Sequence, residues 1–409
     1  AWCYRCYKRC PQGQRLPEIF LSLRTIANER GHTEPFENAI GKIVENIPLP
    51  IVTTFVCFHP ERAGLDLEKV TSKIERMYEE YLEEEKERMG ERRSLGKVAV
   101  IGSGPSGLTV AYELSRKGLD VTIYESLLEP GGMLRKCIPE YRLPSSALKR
   151  EIQLLEDIGV QIKNGLTIGE DLSFKDLWRA GHKAIFIGAG AHRSRIIGIE
   201  GTELEGVIHA VDYLWGVNSG EVGEGGEDVV VIGGGNVAVD AARTALRLGA
   251  ENVTILYRRS REEMPAIPWE VGEAEEEGVK IEFLASPTRI LGENGRVSGI
   301  ECVRMQLGEI DESGRRRPSP VEGSEFTLEK DMVILAIGEA PDLGFLPEEI
   351  ELEENGSVWV NPITMETSLK GVFAGGDAVT GPATVIEAIR AGKCAAESIF
   401  GYIRSLGGW

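Results

Sequence analysis

Two stretches of the chain repeat the same order of features. Residues 98–126 read VAVIGSGPSGLTVAYELSRKGLDVTIYES, and residues 229–260 read VVVIGGGNVAVDAARTALRLGAENVTILYRRS. Each is an apolar run of strand length, a glycine turn, a helical pattern and a second apolar run. That is the βαβ unit that sets a nucleotide pyrophosphate at a helix N-terminus, and the copies start about 130 residues apart. From Lys97 onward, Val/Ile-rich runs alternate with helical patterns. The expected fold class is therefore α/β, with two Rossmann-like dinucleotide-binding domains around parallel sheets. Glycine supplies 49 of 409 residues, about 12% against a usual ~7%, and the excess sits in short motifs where backbone must approach a ligand closely.

In the first turn, Gly102 permits the tight bend, Gly104 admits the pyrophosphate and Gly107 lets helix pack on strand, with Pro105 opening the helix. Glu125 ends the second strand, where a carboxylate accepts hydrogen bonds from ribose hydroxyls and repels a 2′-phosphate. This site suits FAD or NAD. The second turn carries Gly233, Gly235 and Asn236, with Ala238 in the third glycine's place. Its second strand ends in Tyr257-Arg258-Arg259-Ser260-Arg261, with no acid at the ribose position. Arg258 and Arg259 suit a 2′-phosphate, which favours NADPH over NADH. The alternative is a solvated cluster in which the arginines pair with Glu262 and Glu263. A third signal, GVFAGGDAVTGPATVIEAI (371–389), reads as a strand, Gly375-Gly376-Asp377, and a helix starting near Pro382. Asp377 in that place can bond a ribityl hydroxyl, and the helix N-terminus can face a flavin ring, which decides the first site for FAD.

Lys and Arg total 46 against 65 Asp and Glu, a formal charge of −19. So acidic a chain repels phosphate backbones, which argues against a nucleic-acid partner. No apolar run reaches the ~18 residues of a membrane helix, and charges with cysteines stand where an export signal would be apolar. The expected location is cytoplasmic. No phosphate-binding GxxxxGK[ST] loop, Ser/His/Asp nucleophile motif, or C-x-x-C after residue 10 is present, so the expected chemistry is that of a flavin.

The first 65 residues read as a small helical cysteine-rich domain, with a helix over Leu16–Glu29. A second helix follows from Asp66, its apolar face carrying Leu67, Val70, Ile74, Met77, Tyr78, Tyr81 and Leu82, and runs into a charged linker ending at 96. Cys3-x2-Cys6-x3-Cys10-Pro matches the last three cysteines of the ferredoxin run. The missing first cysteine would fall one position before Ala1, and Cys57, within NIPLPIVTTFVCFHP, is the available fourth ligand. One [4Fe–4S] cluster is expected, with zinc as the competing ion and Cys10 open to serving a different cluster.

EPGGMLRKCIPEYRLP (129–144), KAIFIGAGA (183–191), YRRSREEMPA (257–266), MVILAIGEAPD (332–342) and GVFAGGDAVTGPATVIEA (371–388) resemble the flavoprotein family of the glutamate synthase small subunit. That group includes the large subunit of the NADH-dependent ferredoxin:NADP oxidoreductase. The resemblance implies an NAD(P)H-binding domain, residues 227–338, inserted in an FAD-binding domain made of 97–226 and 339–409. It places Gly132 and Met133 along FAD, and Gly376, Asp377, Thr384 and Val385 near its ribityl chain and ring. Cys137 stands where relatives carry Gly, and is read as a buried thiol. After Cys10, PQGQRLPEIFLSLRTIANERG resembles the heterodisulfide reductase C subunit. The combined resemblance implies a reversible electron-transfer subunit, NADPH to FAD to cluster to a partner chain. That partner would be a glutamate synthase large subunit or a bifurcating ferredoxin or heterodisulfide reductase-like complex. Two alternatives stay open: a non-catalytic assembly subunit bearing FAD and cluster, and a self-contained diaphorase. No side chain is assigned a catalytic role.

Overall fold

The computed structural model describes residues 44–45, 47–58, 66–89, 94–223, 226–311 and 314–407. The helix expected at 16–29 lies outside them. The chain divides into two compact units. One comprises the described residues up to Leu134, Glu140–Ala191 and those from Pro341 on; the other comprises Arg135–Pro139 and His192–Ala340.

The first unit begins with a short helix α1 (Pro50–Thr53), continued as a π-helical turn over Thr54–Phe58. The long helix α2 (Leu67–Met89) buries Val70, Ile74, Tyr78 and Leu82, the stripe that the periodicity predicts. Strands β1 (Lys97–Ile101) and β2 (Asp120–Tyr124) flank helix α3 (Pro105–Arg116). Helix α4 (Ser145–Asp157), β3 (Gln161–Lys163) and β4 (His182–Ile187) follow. Interior strands of a parallel sheet are covered on both faces, so β1 and β4 read as near-continuous apolar runs rather than alternating ones.

The chain then builds the second unit. Strands β5 (Arg193–Ser194) and β6 (Val207–His209) lead to helix α5 (Ala210–Ser219). Next come β7 (Asp228–Ile232), α6 (Asn236–Arg247), β8 (Asn252–Tyr257), α7 (Pro268–Glu277) and β9 (Lys280–Phe283). Three long strands, β10 (Ala285–Glu293), β11 (Arg296–Ile310) and β12 (Arg316–Glu329), make an antiparallel sheet absent from the sequence reading. Strand β13 (Met332–Leu335) completes a parallel sheet ordered β6-β13-β7-β8-β9, and β14 (Glu339–Ala340) pairs antiparallel with β5.

On return to the first unit, β15 (Val372–Ala374) joins β4 to give a parallel sheet ordered β15-β4-β1-β2-β3. Its core gathers Ala99, Ile101, Ile185, Ile187 and Val372 with Phe174, Leu177 and Leu343. The last helix, α8 (Val385–Gly407), lies against α3, where a side-chain carbon on Gly392 would fall 2.6 Å from the Ser106 carbonyl oxygen. Residues 192–223, expected with the first domain, fold with the second unit instead, because β6 takes its ladder partner from β13 at Val207–Val333. Among the described residues, no helix is long and apolar enough to cross a membrane.

Candidate dinucleotide sites

In each parallel sheet the strand order reverses beside the strand that feeds a glycine turn, β1 in one and β7 in the other. A crevice at such a point, outside the carboxyl ends of the strands, is where open α/β sheets take ligands.

The first crevice is closed on itself by backbone contacts. Gly102 donates its N–H to the Tyr124 carbonyl at 2.8 Å, tying the turn to the end of β2. Gly107 has to be glycine: a side-chain carbon there would stand 2.0 Å from the Gly102 carbonyl oxygen. Gly104 caps α3 without a side-chain hydrogen bond, and a carbon added to it would meet nothing within 4 Å. Pro105 follows at the first helical position. The result is an open space facing the uncapped N–H groups of a helix, a cradle that fits a pyrophosphate.

Glu125 is buried at the rim of that cradle. Its Oε2 accepts from the Ser103 N–H at 2.9 Å and from Ser103 Oγ at 2.5 Å, and its Oε1 accepts from the Leu127 N–H at 2.8 Å. The side chain is thus held in place by the protein's own groups. Ser103 Oγ also accepts from the Gly131 N–H at 2.8 Å, which draws in the loop carrying Gly132 and Met133. Gly132 has φ +53°, and a carbon on it would press on Gly104 Cα at 2.9 Å.

A carbon on Gly376 would fall 2.7 Å from Ser106 Oγ, so the Gly375-Gly376-Asp377 segment meets the same turn. Asp377 opens the short helix Asp377–Thr380. The expected helix start near Pro382 shifts to Val385, because Thr384 and Glu387 form a reciprocal cap: Thr384 Oγ1 donates to Glu387 Oε2 at 2.7 Å, and the Glu387 N–H donates back to Thr384 Oγ1 at 3.4 Å. The structure therefore brings Gly102, Gly104, Gly107, Glu125, Gly132 and Gly376 to one place. Sequence reasoning missed Ser103, Ser106 and Gly188. The last lies against Gly102, and its only signal is a glycine directly after an apolar strand.

The second crevice repeats the plan. Gly233 donates to the Leu256 carbonyl at 3.1 Å, Gly235 caps α6 with open space around it, and Ala238 is buried in the helix's first turn. Asn236 Oδ1 accepts from the Ile267 N–H at 2.9 Å and so holds the 264–267 loop beside the turn. At the end of β8, Arg258 is exposed and makes no ion pair with a described residue. Arg259 is buried, with Nη2 on Asp311 Oδ2 at 2.6 Å and Nε on the Arg316 carbonyl at 2.8 Å. Glu262 and Glu263 do bind a guanidinium, but it is that of Arg316.

Cys137 is buried in the second unit, and burial pushes its thiol well above the ordinary range, so it stays protonated. Cys3, Cys6 and Cys10 lie outside the described residues. Cys57 is half-buried in the turn Thr54–Phe58. Among the described residues no three His, Cys, Asp or Glu side chains converge as a metal site.

Two parallel sheets, each with a pyrophosphate cradle at its switch point, define a flavoprotein oxidoreductase fold with two dinucleotide sites. Residues 96–392 match the model of the pyridine nucleotide-disulphide oxidoreductase family, and the chain belongs to that family. It is 48% identical over 311 residues to the NADP(+)-dependent formate dehydrogenase subunit beta of Moorella thermoacetica, covering 75% of this chain and 44% of that one. It is 40% identical over 420 residues to the NADPH-Fe(3+) oxidoreductase subunit beta of Geobacter sulfurreducens, covering 94% and 61%. The chain thus spans only about half of the length of these two relatives. The glutamate synthase [NADPH] small chain of Azospirillum brasilense is 40% identical over 329 residues, covering 76% and 68%. Among solved structures, Mycobacterium tuberculosis FprA in complex with NADPH shares the fold, with a TM-score of 0.66 at 20% identity over 77% of this chain and 86% of that one. The family name mentions disulphides, yet no C-x-x-C pair follows residue 10 here.

Proposed function

We propose that the chain binds FAD on its first unit and NADPH on its second, and passes electrons through an iron–sulfur cluster to a partner subunit. The observation that carries this reading is the difference between two otherwise matching crevices: a fixed carboxylate, Glu125, at one and guanidinium groups at the other. A carboxylate accepts from a free ribose and rejects a 2′-phosphate, whereas arginines do the reverse. The printed names of the relatives, which include NADP and NADPH, agree with that division.

Gly102, Gly104, Pro105 and Gly107 would hold the FAD pyrophosphate on α3, Glu125 the adenosine ribose, and Gly132, Met133, Gly376 and Asp377 the remainder. Thr384 and Val385, at the start of α8, would present a positive helix end to the flavin ring. Bound FAD supplies the chemistry of accepting a hydride pair and releasing single electrons. Gly233, Gly235, Asn236 and Ala238 would seat the NADPH pyrophosphate on α6. Cys3, Cys6, Cys10 and Cys57 are the proposed ligands of a [4Fe–4S] cluster. The final acceptor is read as belonging to another polypeptide, a catalytic or electron-accepting subunit, since the relatives are named as a beta subunit or a small chain.

Anaerobic titration with NADPH and, separately, NADH tests this, following flavin absorbance, cluster spectrum and iron content. Bleaching by NADPH well ahead of NADH, with electrons reaching iron, is expected. Equal response to both nucleotides removes the NADPH assignment, and no bleaching by either removes the catalytic role.

A further inference from the structure

The segment Tyr257-Arg258-Arg259-Ser260-Arg261 offers three guanidinium groups at the end of β8, but two are committed elsewhere. Arg259 is buried and paired with Asp311 of the turn between β11 and β12, so turning toward a phosphate would strand both an arginine and a carboxylate. Arg261 lies over the Phe283 ring, 5.1 Å from its centroid, a contact it would give up by turning to a phosphate; its surface pair with Glu275 adds little. Only Arg258 is left in the run.

A further guanidinium arrives from the far side. The Arg259–Asp311 pair and the Arg259 Nε bond to the Arg316 carbonyl pull the end of the β11–β12 hairpin onto the loop after β8. Arg316, the first residue of β12, then lays its side chain on that loop. Its Nε meets Glu263, and its Nη2 lies 3.1 Å from Glu262 Oε2 and 3.5 Å from Ser260 Oγ. Glu263 is buried and is itself held by Ser260 Oγ, and its backbone carbonyl accepts from Tyr257 Oη at 2.8 Å, so the Nε edge of Arg316 is fixed. Glu262 is 84% exposed, so its hold on Nη2 is weak and easily exchanged for a stronger anion.

We infer that Arg316, and not Arg259, is the second cation beside Arg258 for the 2′-phosphate of the nicotinamide nucleotide, with the β11–β12 hairpin as the outer wall of that subsite. Arg259 and Asp311 are positioning residues that fasten the wall. The inference rests on the reading of the second unit as the NADPH site.

The test is calorimetric binding of 2′,5′-ADP and of 5′-AMP to the full-length flavin-loaded protein. Wild type is expected to bind 2′,5′-ADP the more tightly. R316Q should weaken 2′,5′-ADP roughly tenfold or more, with 5′-AMP changed less than about twofold, since a charge-assisted hydrogen bond is at stake only in the first ligand. R316K should restore part of the loss. E262Q, which removes the competing carboxylate, should move the other way and tighten 2′,5′-ADP about two- to threefold. If R316Q weakens both ligands alike, or neither, Arg316 is structural and the inference falls while the NADPH reading stands. If wild type itself does not distinguish the two ligands, the NADPH reading falls, and the inference with it.

Discussion

Glu151 stands fully buried on α4, accepting the Val52 N–H at 2.9 Å under the short helix α1. Burial raises its carboxyl to about 8, with repulsion from Glu75 adding and the Val52 and Ile51 N–H groups opposing. An unfolded glutamate titrates near ~4.3. Between these values the folded chain holds a proton that the unfolded chain has lost, so stability falls as pH rises through that window and levels off above it. The slope approaches ~1.4 kcal/mol per pH unit from this one group. E151Q should flatten the pH dependence of the urea midpoint from about pH 5 to 8, and parallel profiles for the two proteins would absolve Glu151. Nothing in the sequence marks this residue, because the amide it meets comes from 99 positions earlier. Glu125 is legible for the opposite reason. Its proposed role rests on its place at the end of a strand, a fixed distance from a glycine turn. Arg258 and Arg259 look equivalent in the sequence, and only the fold separates them, one exposed and the other buried against Asp311.

The helix pair α3–α8 shows what an element contributes beyond its own residues. A side-chain carbon on Gly392 would come within 2.6 Å of the Ser106 carbonyl oxygen and 2.8 Å of Thr109 Cβ, so α8 has to shift to accept one. G392A should therefore cost about 1–3 kcal/mol, read as a lower thermal midpoint, and loosen FAD, because α3 carries the pyrophosphate cradle. Normal flavin content together with an unchanged midpoint would show that α8 can move without disturbing the cradle. The βαβ units were readable because strand, turn and helix signals are local. The β10–β12 sheet was not: β12 contains Pro318, Pro320 and Gly323 in a charged run, a composition that argues against a strand. Its strands form because long antiparallel neighbours supply partners that a short window does not reveal.

At the scale of the whole molecule, the formal charge of −19 governs encounters before any contact is made. With NADPH as donor, reduction of ferricyanide, an anion, should speed up as salt rises, and reduction of a cationic dye should slow. Rates independent of ionic strength would mean that the electron exit is electrostatically shielded from the rest of the surface. The order in which the chain visits its sheets has another consequence. Strand β15 completes the first sheet from the C-terminal side of the second unit, against β4 on its N-terminal side. The second unit is nearly continuous in sequence and can close as soon as its own strands have left the ribosome. The first must wait with its edge at β4 unpaired until β15 is made, about 185 residues after the end of β4, a long-range closure of the slow kind. The first crevice is thus expected to close after the second. A chain stalled before Val372 would carry the second crevice finished and the first still open at one edge.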